Sequence, residues 1–117
     1  MTDFYCDEVL SGHTAVAVVD ETERVLAFRH TRPHYAEHVV VIPKQHIESL
    51  LELPADDGLA TELMMVVQRV AQAMNAEHGG CHVVTNVGSY QDSKHLHWHV
   101  GSGELAEASE RGEGAGQ

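Results

Sequence analysis

The amino-acid sequence predicts an α+β fold, in which a mainly antiparallel five-stranded sheet is covered by one long helix and accompanied by one short helix. Two observations support this class. Short apolar or β-branched segments occur three times before one long amphipathic segment and twice after it. The chain has 117 residues, which is enough for one domain, since a second would have too little core.

The first half of the chain predicts a hairpin and a third strand. Residues 14–19 (TAVAVV) and 24–28 (RVLAF) are strand-like, and the polar residues 20–23 connect them. Residues 38–42 (HVVVI) form the clearest strand by composition, and Pro43 ends it because proline has no amide hydrogen for the ladder.

The second half predicts the helices and two more strands. Residues 47–53 are a short helical candidate, and residues 54–57 provide a start for the long helix, with acids in its first turn. Gly79 and Gly80 end that helix, and residues 81–87 and 95–100 follow as strands. The long helix carries one apolar stripe, for the core or for a second subunit, made of Leu59, Leu63, Val66, Val67, Val70 and Met74.

The end of the chain differs in composition. Residues 103–117 are rich in glycine and glutamate and contain no aromatic or β-branched residue. Such a segment buries too little apolar surface to fold by itself. We therefore expect a domain over residues 1–102 and a disordered acidic tail over residues 103–117.

The charge and the cysteines restrict the class of protein. The formal net charge is −11, and protonating all ten histidines would bring it only to −1. We therefore expect no binding to nucleic acid polymers or to anionic membranes. The N-terminus lacks a basic region followed by an apolar stretch, so that Cys6 and Cys81 are expected to be reduced thiols in the cytoplasm.

Histidine is the unusual residue type. Residues 95–100 (HLHWHV) alternate at period two, which on a strand places His95, His97 and His99 on one face. Burying three imidazoles without a purpose is costly, because each ring needs hydrogen-bond partners. Such a row can bind a metal ion, or it can perform covalent nucleophilic catalysis on phosphorus, and the spacing alone does not separate the two.

The sequence resembles the histidine triad family of nucleotide hydrolases and transferases. Residues 95–100 match its alternating His-apolar motif through the sixth position, and Gly101 departs at the seventh. Residues 38–47 (HVVVIPKQHI) are similar to the family's segment in which a histidine opens a strand that ends in Ile-Pro-Lys-x-His. Asn86, Gly88 and Gln91 resemble its Asn-x-Gly and Gln elements, and residues 25–28 (VLAF) resemble the strand behind the base pocket.

The resemblance implies a five-stranded sheet with two helices, a homodimer, and a hydrolase or nucleotidyl transferase that acts on a nucleoside phosphoramidate or phosphate ester. His97 would attack phosphorus and form a covalent intermediate. His99 would contact the phosphate and the leaving group, while His95 and His38 would set the tautomers. Asn86, Gln91 and Phe28 would contact a nucleotide-like substrate. This chemistry requires no cofactor, and Lys94 is expected to point away from the histidine face.

Three positions depart from the family pattern. His30 stands where nucleotide-binding members usually carry an aspartate for the ribose hydroxyls, and Thr31 stands where they carry an apolar residue. Asp92 follows Gln91, and an acid there would repel a phosphoryl group and raise the pKa of nearby histidines. These changes are either drift in a loop or a sign that the substrate is not an ordinary purine nucleotide.

Two alternatives to the enzyme remain open. The first is a triad-fold ligand-binding module with altered, non-purine-nucleotide specificity, which has lost efficient turnover because of these departures. The second is a zinc-binding protein, which uses the histidine row directly. Some family members also hold structural zinc, and the corresponding ligands in this chain would be Asp3, Cys6, His46 and His95.

Overall fold

The computed structural model describes residues 4–55 and 57–105 and contains the predicted antiparallel sheet and long helix. The sheet order is β1-β2-β3-β5-β4, and every neighbouring pair is antiparallel. The five strands are β1 (Val18–Glu21), β2 (Val25–Arg29), β3 (Tyr35–Pro43), β4 (His82–Thr85) and β5 (Trp98–Leu105). The long helix, α1 (Leu59–His78), carries the predicted apolar stripe, and all six residues of that stripe are buried.

Both faces of the central strands are buried, but against different elements. One face packs on α1 and includes Val25, Ala27, Val39 and Val41. The other face packs on a helical segment, Tyr5–Leu10, and includes Leu26, Phe28, Val40 and Ile42. Covering on two sides explains why residues 39–42 are consecutively apolar instead of alternating. The N-terminal helical segment was not predicted, because its six residues are too few to show a helical period.

The ends of α1 follow the predicted signals. The Asp57 carboxylate accepts a hydrogen bond from the Leu59 N–H at 3.0 Å, and Gly79 ends the helix with a φ of +83°. A positive φ is strained for residues with a side chain, so glycine suits this position. The short helix expected over residues 47–53 is reduced to one 3₁₀ turn, Leu50–Glu52.

The first strand lies later in the chain than predicted. It was expected over residues 14–19 and is observed at Val18–Glu21, so that two of the residues assigned to the connection belong to the strand. Their carboxylates are paired outside the sheet: Asp20 contacts Arg69 at 2.8 Å, and Glu21 contacts Lys44 at 2.6 Å. Because acids on an edge strand can form such ion pairs, Asp20 and Glu21 belong to the strand and not to the turn that follows it.

The last strand also differs from the prediction. It was expected over residues 95–100, yet β5 is Trp98–Leu105, and both His95 and His97 precede it. Pairing of β3 with β5 extends no further than Val41 opposite Trp98. Beyond that point the Leu96 N–H donates to the Ile47 carbonyl at 2.7 Å, which ties the segment to the loop after β3 instead of to a strand.

The far end of β5 passes the expected domain boundary at residue 102. Residues 106–117 lie outside the described part of the chain, and the disordered tail therefore stays a prediction. Across residues 4–55 and 57–105, the helices include none with the length and apolar content needed to cross a bilayer. Apolar side chains are exposed on the edge strand β4, at Val83 and Val84, where the expected homodimer, still a prediction, could form.

The packing around residue 101 explains why it is glycine, where the alternating motif has an apolar residue. Gly101 lies opposite His38 in the β3–β5 pair, and a Cβ atom placed on it would lie 2.6 Å from Cγ of Tyr35. The Tyr35 ring therefore occupies the space above Gly101. From there it contacts the edge of the His38 ring, with centroids 5.3 Å apart, and stacks beside His82 at 5.7 Å.

The substitution Gly101→Ala should lower the free energy of unfolding by about 2 kcal/mol, the typical cost of overpacking a filled site. Urea denaturation measures this change. In a Tyr35→Ala background, Gly101→Ala should lower the free energy of unfolding much less, because the ring that clashes with the new Cβ atom is absent. An equal cost of Gly101→Ala in both backgrounds would contradict this account of the glycine.

Candidate active site

Strand alternation places His38 and His99 on the sheet face opposite α1, and His97 directly precedes β5. Trp98 and Val100 of β5 belong to the core under α1, so His99 points to the other side. His38, His97 and His99 are buried there next to one another. The ring centroids of His97 and His99 are 4.8 Å apart, and those of His38 and His99 are 5.0 Å apart.

A chain of hydrogen bonds determines which nitrogen of His38 and His99 carries the proton. The His34 backbone N–H donates to His38 Nδ1 at 2.9 Å, so the proton of neutral His38 is on Nε2. Burial, followed by the neighbouring His30 and His99, lowers the pKa of His38 to about 2, which keeps the ring neutral. His38 Nε2 therefore donates to His99 Nδ1 at 2.9 Å, and the proton of His99 is on Nε2.

His97 has the opposite tautomer from its neighbours. Its Nδ1 donates to the backbone carbonyl of His95 at 2.7 Å, because a carbonyl oxygen can only accept. In the neutral ring the lone pair is therefore on Nε2. Side by side, the structure holds one imidazole with a nucleophilic Nε2, His97, and one with a proton-bearing Nε2, His99.

His30 belongs to the same group of rings. It stacks on His38 with centroids 4.4 Å apart, and its Nδ1 accepts the Arg32 N–H at 2.8 Å. Burial is the main cause that lowers the pKa of His30 to about 4, and the nearby His34 adds to it. The expectation that Asp92 would raise the pKa of the neighbouring histidines is wrong for His30 and His38, because Asp92 is exposed and burial dominates.

A separate group lies on the N-terminal side of the row. Cys6 Sγ is 3.4 Å from Nδ1 of His95 and 3.8 Å from Nδ1 of His46. Tetrahedral zinc separates a sulfur and a nitrogen ligand by about 3.6 Å, given ordinary bond lengths. His95 Nε2 donates to the Pro43 carbonyl at 2.8 Å, so its lone pair is on Nδ1, toward Cys6. The donor set fits zinc, and Asp3, the expected fourth ligand, lies outside the described residues.

The nitrogen atoms of His30, His38 and His99 are also close enough to one another for a metal ion. Their hydrogen bonds oppose that use. A backbone N–H points at Nδ1 of both His30 and His38, which assigns a proton to each Nε2 and leaves neither ring a lone pair for a metal. Direct binding of one metal ion by the row of three histidines stays a prediction. Among the described residues, the groups of close ligand atoms contain His95 with Cys6 and His99 with His30 and His38.

A cavity of about 350 Å³ opens beside the histidines. Its apolar wall combines the N-terminal segment with the inner strands and consists of Phe4, Tyr5, Phe28 and Val40. Its polar lining comes from two loops and consists of His30, Thr31, Arg32, Asp92 and Ser93. Three of the predicted contact residues, Phe28, His30 and Asp92, therefore line the cavity.

Two predicted contact residues lie outside that lining. The Gln91 amide donates to the carbonyls of Glu48, at 2.7 Å, and Ser93, at 2.8 Å, and so fastens the loop before the triad. Asn86 follows the end of β4 and is partly buried. Lys94 was expected to point away from the histidine face, and its ammonium donates to the carbonyls of Gly88 and Gln91, both at 2.8 Å. A turn replaces the strand here, so alternation does not govern where Lys94 points.

Sequence reasoning missed three residues of this site. The Tyr5 ring packs against the rings of both His95, at 5.7 Å, and His97, at 5.1 Å. His34 sets the tautomer of His38 through its backbone, and Arg32 does the same for His30. A backbone donor leaves no trace in the residue type, and only the position of Tyr5 beside Cys6 hinted at its location.

Comparison with known proteins identifies the family of this chain. The family model described as the HIT domain matches residues 12–104. An uncharacterized HIT-like protein of Methanocaldococcus jannaschii is 32% identical over 110 residues, which cover 88% of this chain and 84% of the relative.

Two solved structures are similar to the whole fold. The HIT family hydrolase of Legionella pneumophila has a TM-score of 0.76 and 29% identity, covering 91% of this chain and 96% of its own. A hypothetical histidine triad nucleotide-binding protein of Sulfolobus tokodaii has a TM-score of 0.75 and 29% identity, covering 88% of this chain and 70% of its own. The alternating motif, the sheet order and these matches together establish that the chain belongs to the histidine triad (HIT) family.

Proposed function

We propose that the protein is a hydrolase or nucleotidyl transferase that acts on a nucleoside phosphoramidate or phosphate ester through a covalent intermediate on His97. The observation that supports this most directly is the pair of opposite tautomers at His97 and His99. A nucleophilic nitrogen and a proton donor on neighbouring rings are what displacement at phosphorus requires. The similarity to a HIT family hydrolase supports the same class of reaction.

In the first step, the lone pair of His97 Nε2 attacks phosphorus, and the bond from phosphorus to the leaving nitrogen or oxygen breaks. The leaving atom accepts a hydrogen bond from Nε2 of His99, whose Nδ1 stays hydrogen-bonded by His38, and it takes its proton from a water molecule, which becomes hydroxide. His97 then carries phosphorus on Nε2 and a proton on Nδ1. The positive charge of that ring is stabilised by the His95 carbonyl, which accepts the Nδ1 proton's hydrogen bond at 2.7 Å.

In the second step, water attacks phosphorus from the side opposite His97, and the bond between phosphorus and Nε2 breaks. The attacking water gives one proton to the hydroxide left from the first step, and His97 recovers its lone pair on Nε2, so the enzyme returns to its starting state. An alcohol or amine in place of water would give transfer instead of hydrolysis. Neutral rings suit this cycle, because a protonated His97 would have no lone pair on Nε2.

The cavity is suited to the nucleoside part of such a substrate. Its volume of about 350 Å³ is within the range of small-molecule sites, and the aromatic rings of Phe4, Tyr5 and Phe28 offer an apolar wall for a base. The similar protein of Sulfolobus tokodaii is described as a nucleotide-binding protein, which supports a nucleotide-like ligand.

A second candidate is a ligand-binding module with slow turnover. The observation in its favour is Asp92, an acid that lines the cavity and would repel an anionic phosphoryl group. The two candidates differ in turnover but agree in ligand class, so a rate measurement separates them.

The variant His97→Ala should lower the turnover rate of nucleoside phosphoramidates about a thousandfold or more, since removing a nucleophile has effects of that order. Mass spectrometry of the acid-labile adduct should find a nucleotidyl group on His97 in the unmodified protein. His78→Ala, at the exposed end of α1, is the matched control and should retain both. Turnover that survives in His97→Ala would overturn the mechanism. If the unmodified protein forms no adduct and turns the substrate over slowly, the binding module would be favoured.

We also propose that Cys6, His46 and His95 bind a structural zinc ion. The distances and the tautomer of His95 support this set, and a thiolate with two imidazoles is a donor set that zinc favours. When bound, zinc would tie the N-terminal segment to the two loops that carry the histidines. Its chemistry there would be structural, and His95 would still accept from His97 through its carbonyl.

Protein purified without chelators should contain about one zinc ion per chain by elemental analysis. Cys6→Ser should lose most of this metal, because a hydroxyl binds zinc much more weakly than a thiolate. Cys81→Ser is the matched control, since Cys81 packs beside α1. Metal contents near zero in the unmodified protein, or equal in the two variants, would refute the site.

The stability of the protein should fall as the pH decreases from 7 to 5. His30 and His38 have folded pKa values of about 4 and about 2, below the ordinary 6.5, so only the unfolded chain takes up protons in this range. Linkage then removes about 2 kcal/mol for each histidine. Urea denaturation at both pH values measures the change. The variant His30→Asn should show a smaller decrease, and an unchanged pH dependence in that variant would be inconsistent with this assignment.

A further inference from the structure

One stretch of the cavity lining contains hydrogen-bond donors in unusual density. His30, Thr31 and Arg32 follow β2 directly, and all three line the cavity. Arg32 has only donors, and Thr31 has a hydroxyl that can donate. Asp92, from another loop, is the one carboxylate among the described lining residues.

The His30 ring, which lines the cavity, also carries a donor. Its Nδ1 accepts the Arg32 N–H at 2.8 Å, so that the proton of the neutral ring is on Nε2. The lowered pKa of His30 is consistent with a neutral ring at pH 7. The hydrogen bond from the Arg32 N–H determines which nitrogen carries the proton, and His38 stacks on the ring with centroids 4.4 Å apart.

Arg32 contributes the positive charge of this lining. Three other arginines form ion pairs with carboxylates of the described residues, namely Arg24, Arg29 and Arg69. Within the same residues, Arg32 has no carboxylate at ion-pair distance, although its backbone N–H is engaged with His30. An exposed guanidinium at a cavity that already has an N–H donor is suited to a group with several acceptor oxygens.

We propose that His30, Thr31 and Arg32 bind a second anionic group of the substrate, namely a phosphoryl group at the 2′ or 3′ position of a nucleotide sugar. This proposal rests on the proposed function, because it assumes that the first phosphorus lies at His97. The ring centroids of His30 and His99 are 5.7 Å apart, which a sugar can bridge.

A sugar with two hydroxyl groups fits this lining less well. Each hydroxyl needs an acceptor for its own proton, and an unmatched buried donor is costly. A phosphoryl group has no such requirement, because its oxygens accept from the imidazole, the hydroxyl and the guanidinium together. The difference predicts a preference for bisphosphorylated nucleotides over the corresponding monophosphates.

Titration calorimetry on the intact protein tests the preference with three probes: adenosine 5′-monophosphate, adenosine 2′,5′-bisphosphate and adenosine 3′,5′-bisphosphate. At least one bisphosphate should bind about tenfold more tightly than the monophosphate at low salt, as expected for one charge-assisted contact. The isomer that binds more tightly identifies the position of the group. The 3′-O-methyl monophosphate, which adds size without charge, should show no such gain.

Variants assign the preference to this lining. Arg32→Gln should reduce it to about twofold or less, whereas Arg69→Gln, which removes the same charge from α1 on the other side of the sheet, should retain it. His30→Asp should favour the monophosphate, because a carboxylate accepts from hydroxyls and repels phosphate.

Equal affinities for the monophosphate and both bisphosphates, no measurable binding of any probe, or a preference that persists in Arg32→Gln would overturn the proposal. The adduct on His97 is measured separately in the unmodified protein. An adduct without the preference defeats only the second anionic site, and the preference without an adduct defeats only the proposed reaction.

Discussion

Backbone groups that contact Nδ1 of the buried imidazoles determine what each Nε2 can do. The His34 N–H donates to His38, whereas the His95 carbonyl accepts from His97. A donor at Nδ1 assigns the proton to Nε2, and an acceptor at Nδ1 assigns the lone pair to Nε2. Two chemically identical side chains thus acquire opposite roles, and burial lowers the pKa of His38, which keeps that ring neutral.

These contacts depend on the sheet and on the two segments that leave it. β3 and β5 pair side by side and bring His38 next to His99, while Gly101 makes room for the Tyr35 ring at the edge of His38. The segment before β5 lies outside the sheet, where the Leu96 N–H donates to the Ile47 carbonyl. There the His97 ring can return a hydrogen bond to the backbone two residues earlier, at the His95 carbonyl.

The same rule separates the chemistry of two neighbouring histidine groups. His95 donates from Nε2 to the Pro43 carbonyl, so its lone pair faces Cys6, and the group suits a metal ion. His30 and His38 accept backbone N–H groups at Nδ1, so their group suits proton transfer and hydrogen-bond donation. By residue type and by distance, both groups qualify as possible metal sites. The hydrogen bonds that orient the histidine rings distinguish the two.

The sequence by itself determined the fold class, the apolar stripe of α1, the buried run of β3 and the alternation of the triad, because these follow from periodicity along one chain. It also located His38, His97, His99 and the cavity residue Phe28 through the family motifs. The tertiary structure alone decided the tautomers, the division of the triad between two groups, and the use of Gln91 and Lys94 to fasten a loop. The physical reason is that hydrogen bonds to backbone groups depend on where distant segments meet, and backbone groups are the same in every residue but proline.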